Sequence, residues 1–447
     1  VISWDVSAKQ NKSVMAWFTN DPDNAGMYKL YIGGKGGVYA NENSNLLFEG
    51  GDGGVFGKTT LMKLSNLKTN YVTNMIGMFN TCSEIVNLDL SSFETSKVTN
   101  MNGMFNGCNK LVDLNISSFN TSSVTSMVAM FQTCNSIINL DVSNFDTQNV
   151  TNMSYMFFRM TNLKTLDVSN FNTSKVTNMR NMFSNCSSLT ELAVNDFDTR
   201  NVTNMRGMFN NCFSLTSLNL NNFNTSKVTD MGLMFAGTTN NTTFENVTMN
   251  LIKIDGIENF DTSNVTTMAA MFQYCSKLTS LNLNKWNTSN VTDMRWMFYN
   301  CSNLINLKLC SFDTSKVINM STMFYATTSL KNIYVGSKWT TNNADTTNMF
   351  KGSGVSSVTQ SNNCEYDAED ISVSLQTTTT TNSITAVATA SADSGIAKYE
   401  FSKDDGNTWV DNGKENTYTF NNLNNDTYYK IDVKVTSNLG KTGNETS

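Results

Sequence analysis

Apolar and polar positions along this chain recur with a long period. Val-Thr-x-Met-x-x-Met-Phe, or a near variant, begins at Val72, Val98, Val124, Val150, Val176, Val202, Val228, Val265, Val291 and Val317. Eight of the nine intervals are 26 residues; the ninth, Val228 to Val265, is 37, an insertion of eleven residues near 236–246. A degenerate eleventh copy ends in Met349 and Phe350. Self-similarity at a fixed period is the signature of stacked units. With each Val as site 1, sites 4, 7, 8 and 11 are apolar, as in Met205, Met208, Phe209 and Cys212. That i, i+3, i+4, i+7 spacing predicts a short helix, with Thr203 as its cap. Sites 14, 17 and 19, such as Leu215, Leu218 and Leu220, are aliphatic, with polar Asn219 between the last two in the alternation of a half-buried strand. Site 22 is aromatic from Phe93 to Phe312 and site 24 is Thr, which reads as an inward ring followed by a polar turn. One such unit cannot bury its apolar face alone, but stacked copies with parallel strands about 4.8 Å apart can. The expected fold is an α/β repeat solenoid with one short strand and one short helix per rung, about 11 rungs over residues 61–351.

The repeat is flanked by different material. Residues 1–60 hold strand-like runs, "SVMAWF" and "YKLYIGG", broken by glycine-rich turns, and predict an N-terminal β cap. Residues 352–364 are a polar linker, and 365–447 contain "SITAVATAS", "GIAKYEFSK", "NTYTFNN" and "TYYKIDVKVTS", strands at the spacing of a small β-sandwich.

The "LxxLxL" strand and its period lie in the leucine-rich-repeat range. The fuller rung, "CSSLTELAVNDFDTRNVTNMRGMF", resembles the BspA-like leucine-rich repeats of bacterial surface proteins, seen also in mycoplasma-type lipoproteins, over about residues 61–350. The resemblance implies a right-handed solenoid on a cell surface, adhesion or host-matrix binding as in some members, and no catalytic residues to carry over. "LNNDTYY" resembles the fibronectin type III pattern of a Leu six residues before a corner tyrosine, here Leu423 and Tyr429, and implies a fibronectin-III-like domain.

Composition narrows the function. The chain has no histidine, so the commonest general base and the commonest metal ligand are both missing. An enzyme, a cofactor and a metal site are not expected. A net charge of −6 without a basic run leaves no footprint for nucleic acid. No window approaches the 18 or so apolar residues of a membrane span, and the first residues lack a charged and then apolar signal region, as expected of a mature or truncated chain.

Several motifs read as structure. The Met stripe lies beside Phe on the inward face and fills a core. Cys82, Cys108, Cys134, Cys186, Cys212, Cys275 and Cys301 share site 11 with Met160, which marks a packing site and predicts buried free thiols; Cys310 and Cys364 lie outside this ladder. "SKDDGNTW", residues 402–409, matches the Asp-box pattern of sialidase propellers, a hairpin turn rather than a catalytic site.

Recognition is left to positions that vary between rungs. On the outer face of the expected helix, Tyr274, Arg295, Trp296, Tyr299 and Tyr325 form the leading candidate patch, because aromatics beside an arginine suit interface hot spots and sugar rings. The alternative is the strand face, with Asp89, Asp113, Asp141, Asp167 and Glu191. The function expected is a non-enzymatic adhesin or interaction module at a bacterial cell surface, binding a protein or glycan of a host or neighbouring cell. The alternative is a structural stalk presenting another domain.

Overall fold

The computed structural model describes residues 2–6, 10–22, 26–51, 56–237, 248–361, 371–392, 395–437 and 442–446. Most of the eleven-residue insertion, and Cys364, fall outside these residues.

The repeats stack into a solenoid, but of β type. Among the described residues there is no α-helix, only a 3-10 turn at Ile257–Asn259. The α/β solenoid expected from the sequence is therefore corrected, and with it the leucine-rich-repeat architecture. The rung at Val202 shows why. Gly207 and Asn211, at sites 6 and 10, have φ of +60° and +57°, and a left-handed residue every fourth position ends any right-handed helix. The N–H groups of Met205, Gly207, Phe209 and Asn211 donate to Asp230, Gly232, Met234 and Ala236 of the next rung at 3.1, 2.9, 2.9 and 2.8 Å. Between them, Met208 and Asn210 donate back three residues, to Met205 and Gly207. Consecutive turns thus face Met, Met, Phe and Cys inward at helical spacing, while every second donor bonds across rungs as in a sheet. Thr203 is not a cap: its N–H donates to the Thr177 carbonyl at 2.8 Å.

Three recurring side chains fix the rung at Val202. At sites 3, 18 and 23, Asn204, Asn219 and Asn224 accept the backbone N–H two residues on, from Arg206, Asn221 and Ser226, at 3.0, 3.2 and 3.1 Å. These Asx turns set three bends of this rung, and Asp or Asn recurs at the same sites in most others. Parallel pairing follows at sites 16 to 18, as Asn87–Asp89 with Asp113–Asn115, Ser217–Asn219 with Lys253–Asp255, and Asn306–Leu309 with Asn332–Val335. Site 3 forms a second ladder of parallel bridges from Asn43 through Asn74, Asn100 and onward to Asp345.

The core is one continuous column. Site-8 phenylalanines stack from Phe48 through Phe79, Phe105, Phe131, Phe157, Phe183, Phe209, Phe235, Phe272, Phe298 and Phe324 to Phe350, with centroids 5.4 to 6.0 Å apart and planes within 18°. The stack starts before Val72. Leu46, Phe48 and Gly50 donate to Ile76, Met78 and Asn80 as any rung does, so residues 41–50 close the N-terminal end of the core. Ahead of them lies an antiparallel sheet of Ile2–Asp5, Val14–Asn20 and Tyr28–Gly34.

The site-24 threonines are buried, not turn surface. Thr199 is 1% exposed, and its Oγ1 both donates to the Asn224 carbonyl and accepts the Asn224 N–H of the next rung. Toward the C-terminus, Ser372–Thr379, Ile384–Ser391 and Thr417–Phe420 form one sheet, and Val410–Asp411, Ile396–Ser402, Asp432–Ser437 and Thr442–Thr446 form another. They share a core of Ala386, Ala388, Tyr399, Phe401, Phe420, Val433 and Val435. Leu423 is buried in it, and the Tyr429 hydroxyl accepts the Asn424 N–H at 3.1 Å. The Asp-box residues make a turn: Asp404 accepts from the Thr408 N–H and hydroxyl, and Ser402 Oγ accepts from Gly406 N–H.

Candidate functional site

The outward-facing turns at sites 5, 6, 9 and 10 are where the rungs differ. Trp296 stands at site 6 with φ +60° and is 44% exposed. In the same place other rungs hold Gly77, Gly103, Ala129, Asn181 and Gly207. A bulky residue in the left-handed region costs on the order of 1 to 2 kcal/mol, so the backbone here favours glycine and tolerates the indole. The Arg295 guanidinium lies 6.0 Å from the indole and is held by Asp293 at 3.1 Å. Tyr299 and Tyr325 stack on adjacent rungs with centroids 4.8 Å apart and planes 4° apart.

Tyr274 extends this column, its ring centroid 5.2 Å from that of Tyr299, but it is buried, at 4% exposure. Burial, and then the hydrogen bond with Tyr299, push its hydroxyl pKa up to about 12. Its carbonyl accepts the N–H of Met249, where the chain returns after the insertion. The sequence patch is thus brought together except that Tyr274 is its floor and not its surface.

The acidic alternative is placed differently. Asp89, Asp113, Asp141, Asp167 and Glu191 are all exposed, yet three of them have a structural task. Asp89, Asp141 and Asp167 accept the N–H of Ser91, Ser143 and Ser169 at 3.0, 3.0 and 2.9 Å. Those serines hold the three carboxyls below their ordinary value. They are the site-18 Asx turns, which explains why an acid or amide recurs there.

The thiols are sealed. All seven site-11 cysteines are free and buried, and each donates its S–H to the phenylalanine carbonyl of the rung before, as Cys212 to Phe183 at 3.1 Å. Burial pushes the Cys134 and Cys186 thiols up to about 12. Cys310 is in a disulfide. A groove of ≈ 380 Å³ lined by Trp339, Thr341, Met349, Phe350 and Val358 lies at the end of the ring column, on the terminal rung and away from the aromatic patch. We regard it as the covered end of the core, because Phe350 is the last ring of the stack.

Sequence reasoning missed a second aromatic group, Tyr155 and Phe158 with Arg159 and Arg180. The signal was available, since these residues occupy sites 6, 9, 10 and 5, those of the first patch.

Residues 54–166, 136–247 and 239–363 match a family described as Mycoplasma protein of unknown function, DUF285. The chain belongs to this family. The three matches to this Mycoplasma family run through the whole solenoid and stop short of the C-terminal sandwich. Neither a curated protein nor a solved structure matches the chain. Nothing in the comparisons supports the BspA-like or fibronectin type III names, and those terms are set aside. Among the described residues no helix is long and apolar enough to cross a membrane, and no group of three or more Cys, Asp or Glu is placed to hold a metal ion.

Proposed function

We propose that this Mycoplasma-family solenoid is a non-enzymatic interaction module displayed outside the cell, an adhesin for a protein or glycan on a host or neighbouring cell. The observation that carries the reading is Trp296, exposed on a left-handed backbone position that glycine fills elsewhere. Exposed aromatics carry a solubility penalty that coverage by a partner removes. Stability gives no reason for the residue, since the turn forms without it in other rungs. Stacked Tyr299 and Tyr325 supply a row of ring edges in the same patch, and Arg295 a cation, the residue types that dominate interface energies. Recognition through loops on a rigid scaffold needs no catalytic group.

The test replaces Trp296 and Tyr299 together by Ser. A binding screen of the intact chain against matrix proteins and glycan arrays supplies the ligand. We expect the double variant to stay folded, with only the small drop in melting temperature that losing the Tyr299 ring contacts implies, and to lose most of its affinity. Retained affinity, or a screen with no binder, removes the reading.

A further inference from the structure

The second aromatic group has no acid to balance it. Tyr155 stands at site 6 with φ +60°, and its ring meets Phe158 edge to face with centroids 5.4 Å apart. The Arg159 guanidinium lies 5.2 Å from the Phe158 ring, and that of Arg180, one rung on, 5.9 Å from the Tyr155 ring. Elsewhere on the solenoid Arg200, Arg206 and Arg295 sit against Asp198, Asp230 and Asp293 at 2.8, 3.6 and 3.1 Å. Among the described residues Arg159 and Arg180 form no ion pair, although the chain carries more acids than bases. Arg180 also keeps its Nε below the surface without a hydrogen-bond partner, a donor whose desolvation is not offset within the fold.

We infer that this platform binds an acidic saccharide, the sugar ring on Tyr155 and Phe158 and its carboxylate on Arg180 and Arg159. A guanidinium edge meets a carboxylate through two parallel N–H bonds, and a rotamer change in the aliphatic stem of Arg180 that lifts Nε to the surface brings it into that role. Tyr155 and Phe158, set edge to face with a guanidinium over each ring, form an angled aromatic corner rather than one flat floor, and the C–H groups of a sugar ring packing into it distinguish such a ligand from an acidic peptide. The site lies five rungs from Trp296, about 24 Å at about 4.8 Å per rung. It goes beyond the reading above and rests on other residues, so the two fail separately.

The experiment is calorimetric titration of the intact chain with a hyaluronan hexasaccharide, whose alternate sugars carry carboxylates, and with the same oligosaccharide after its carboxyls are reduced to alcohols. We expect the acid form to bind, more weakly as salt is raised, and the reduced form to bind about ten-fold less or worse. Arg180→Gln and Arg159→Gln should each weaken binding about ten-fold. Tyr155→Gly should weaken it too with no loss of melting temperature, because Gly77, Gly103 and Gly207 hold the same position at φ +57°, +58° and +60°. No binding, equal binding of the reduced form, wild-type affinity in Arg180→Gln, or equal affinity for polyglutamate would each overturn the assignment.

Discussion

Replacing Thr199 by valine separates two accounts of the most regular polar position in the repeat. Valine has nearly the shape of threonine, so if site 24 were only a packing position the change would be neutral or slightly stabilising. The hydrogen bonds argue otherwise. Thr199 Oγ1 donates to the Asn224 carbonyl at 2.9 Å and accepts its N–H at 2.8 Å, at 1% exposure. Valine leaves both backbone groups without that partner, and each costs about 1 to 3 kcal/mol if water cannot reach it. The residue carrying them, Asn224, is itself exposed, so water recovers part of the loss, and a net destabilisation of about 2 kcal/mol is expected. Thr199→Ser keeps both bonds and loses one buried methyl, about 1 kcal/mol. Urea unfolding followed by circular dichroism should therefore rank wild type above serine above valine, at a common denaturant slope. A valine variant as stable as the serine variant or more so would show that the threonine ladder holds nothing together.

Phe209→Ala should destabilise by about 3 to 5 kcal/mol, because the ring is fully buried between Phe183 and Phe235. Arg206→Ala, on the outer turn with a 3.6 Å contact to Asp230, should cost less than about 1 kcal/mol; equal thermal shifts would mean the turns are facing the wrong way. The seven site-11 thiols should resist alkylation by iodoacetamide until denaturant is added, and a native chain that labels fully would contradict their burial. Their folded pKa is raised from 9.0, to about 12 for Cys134 and Cys186, so the protonated thiol adds stability that is complete below pH 9.0 and is lost as pH rises toward 12. Melting temperature measured across that window should fall, and a flat profile would place the thiols in contact with solvent.

Much of this fold is written in the spacing of its residues, and one part of that spacing misleads. The period, the rung boundaries and the buried set follow from Val, Met, Phe, Cys and Leu recurring in register. Met205, Met208, Phe209 and Cys212 have the spacing of a helix face, but a string of turns with bonds three residues back places the same side chains inward. The distinguishing signal lay at the other positions. Sites 6 and 10 draw on Gly77, Gly103, Gly207, Gly107, Asn181, Asn185 and Asn211, the residue types that enter the left-handed region most easily. Two such residues in each of the turn segments that begin at Val98, Val176 and Val202 contradict a helix, whatever the apolar spacing.

The candidate site was legible where side chains exceed what the turn requires and illegible where geometry decides between floor and surface. Trp296 is surplus by that criterion, and it is exposed. Tyr274 satisfied the same criterion and is buried, because the returning chain after the insertion and the Tyr299 ring enclose it; an insertion changes what lies over its neighbours, and no period reports that. The acidic strand face shows the converse error. A carboxylate repeated in register looks like a field of charge, yet Asp89, Asp141 and Asp167 each accept the N–H two residues on at the site-18 bend, a task that Asn115 and Asn219 perform equally well without charge and that the rungs with Ala193, Lys308 and Tyr334 do without. What a repeat needs can be filled by any residue of the right local chemistry, so evidence of binding lies in residues the bend does not need. By that standard Tyr155, Phe158, Arg159 and Arg180 belong with Trp296, and the unpaired charge of the two arginines sets their patch apart from it in the ligand it can take.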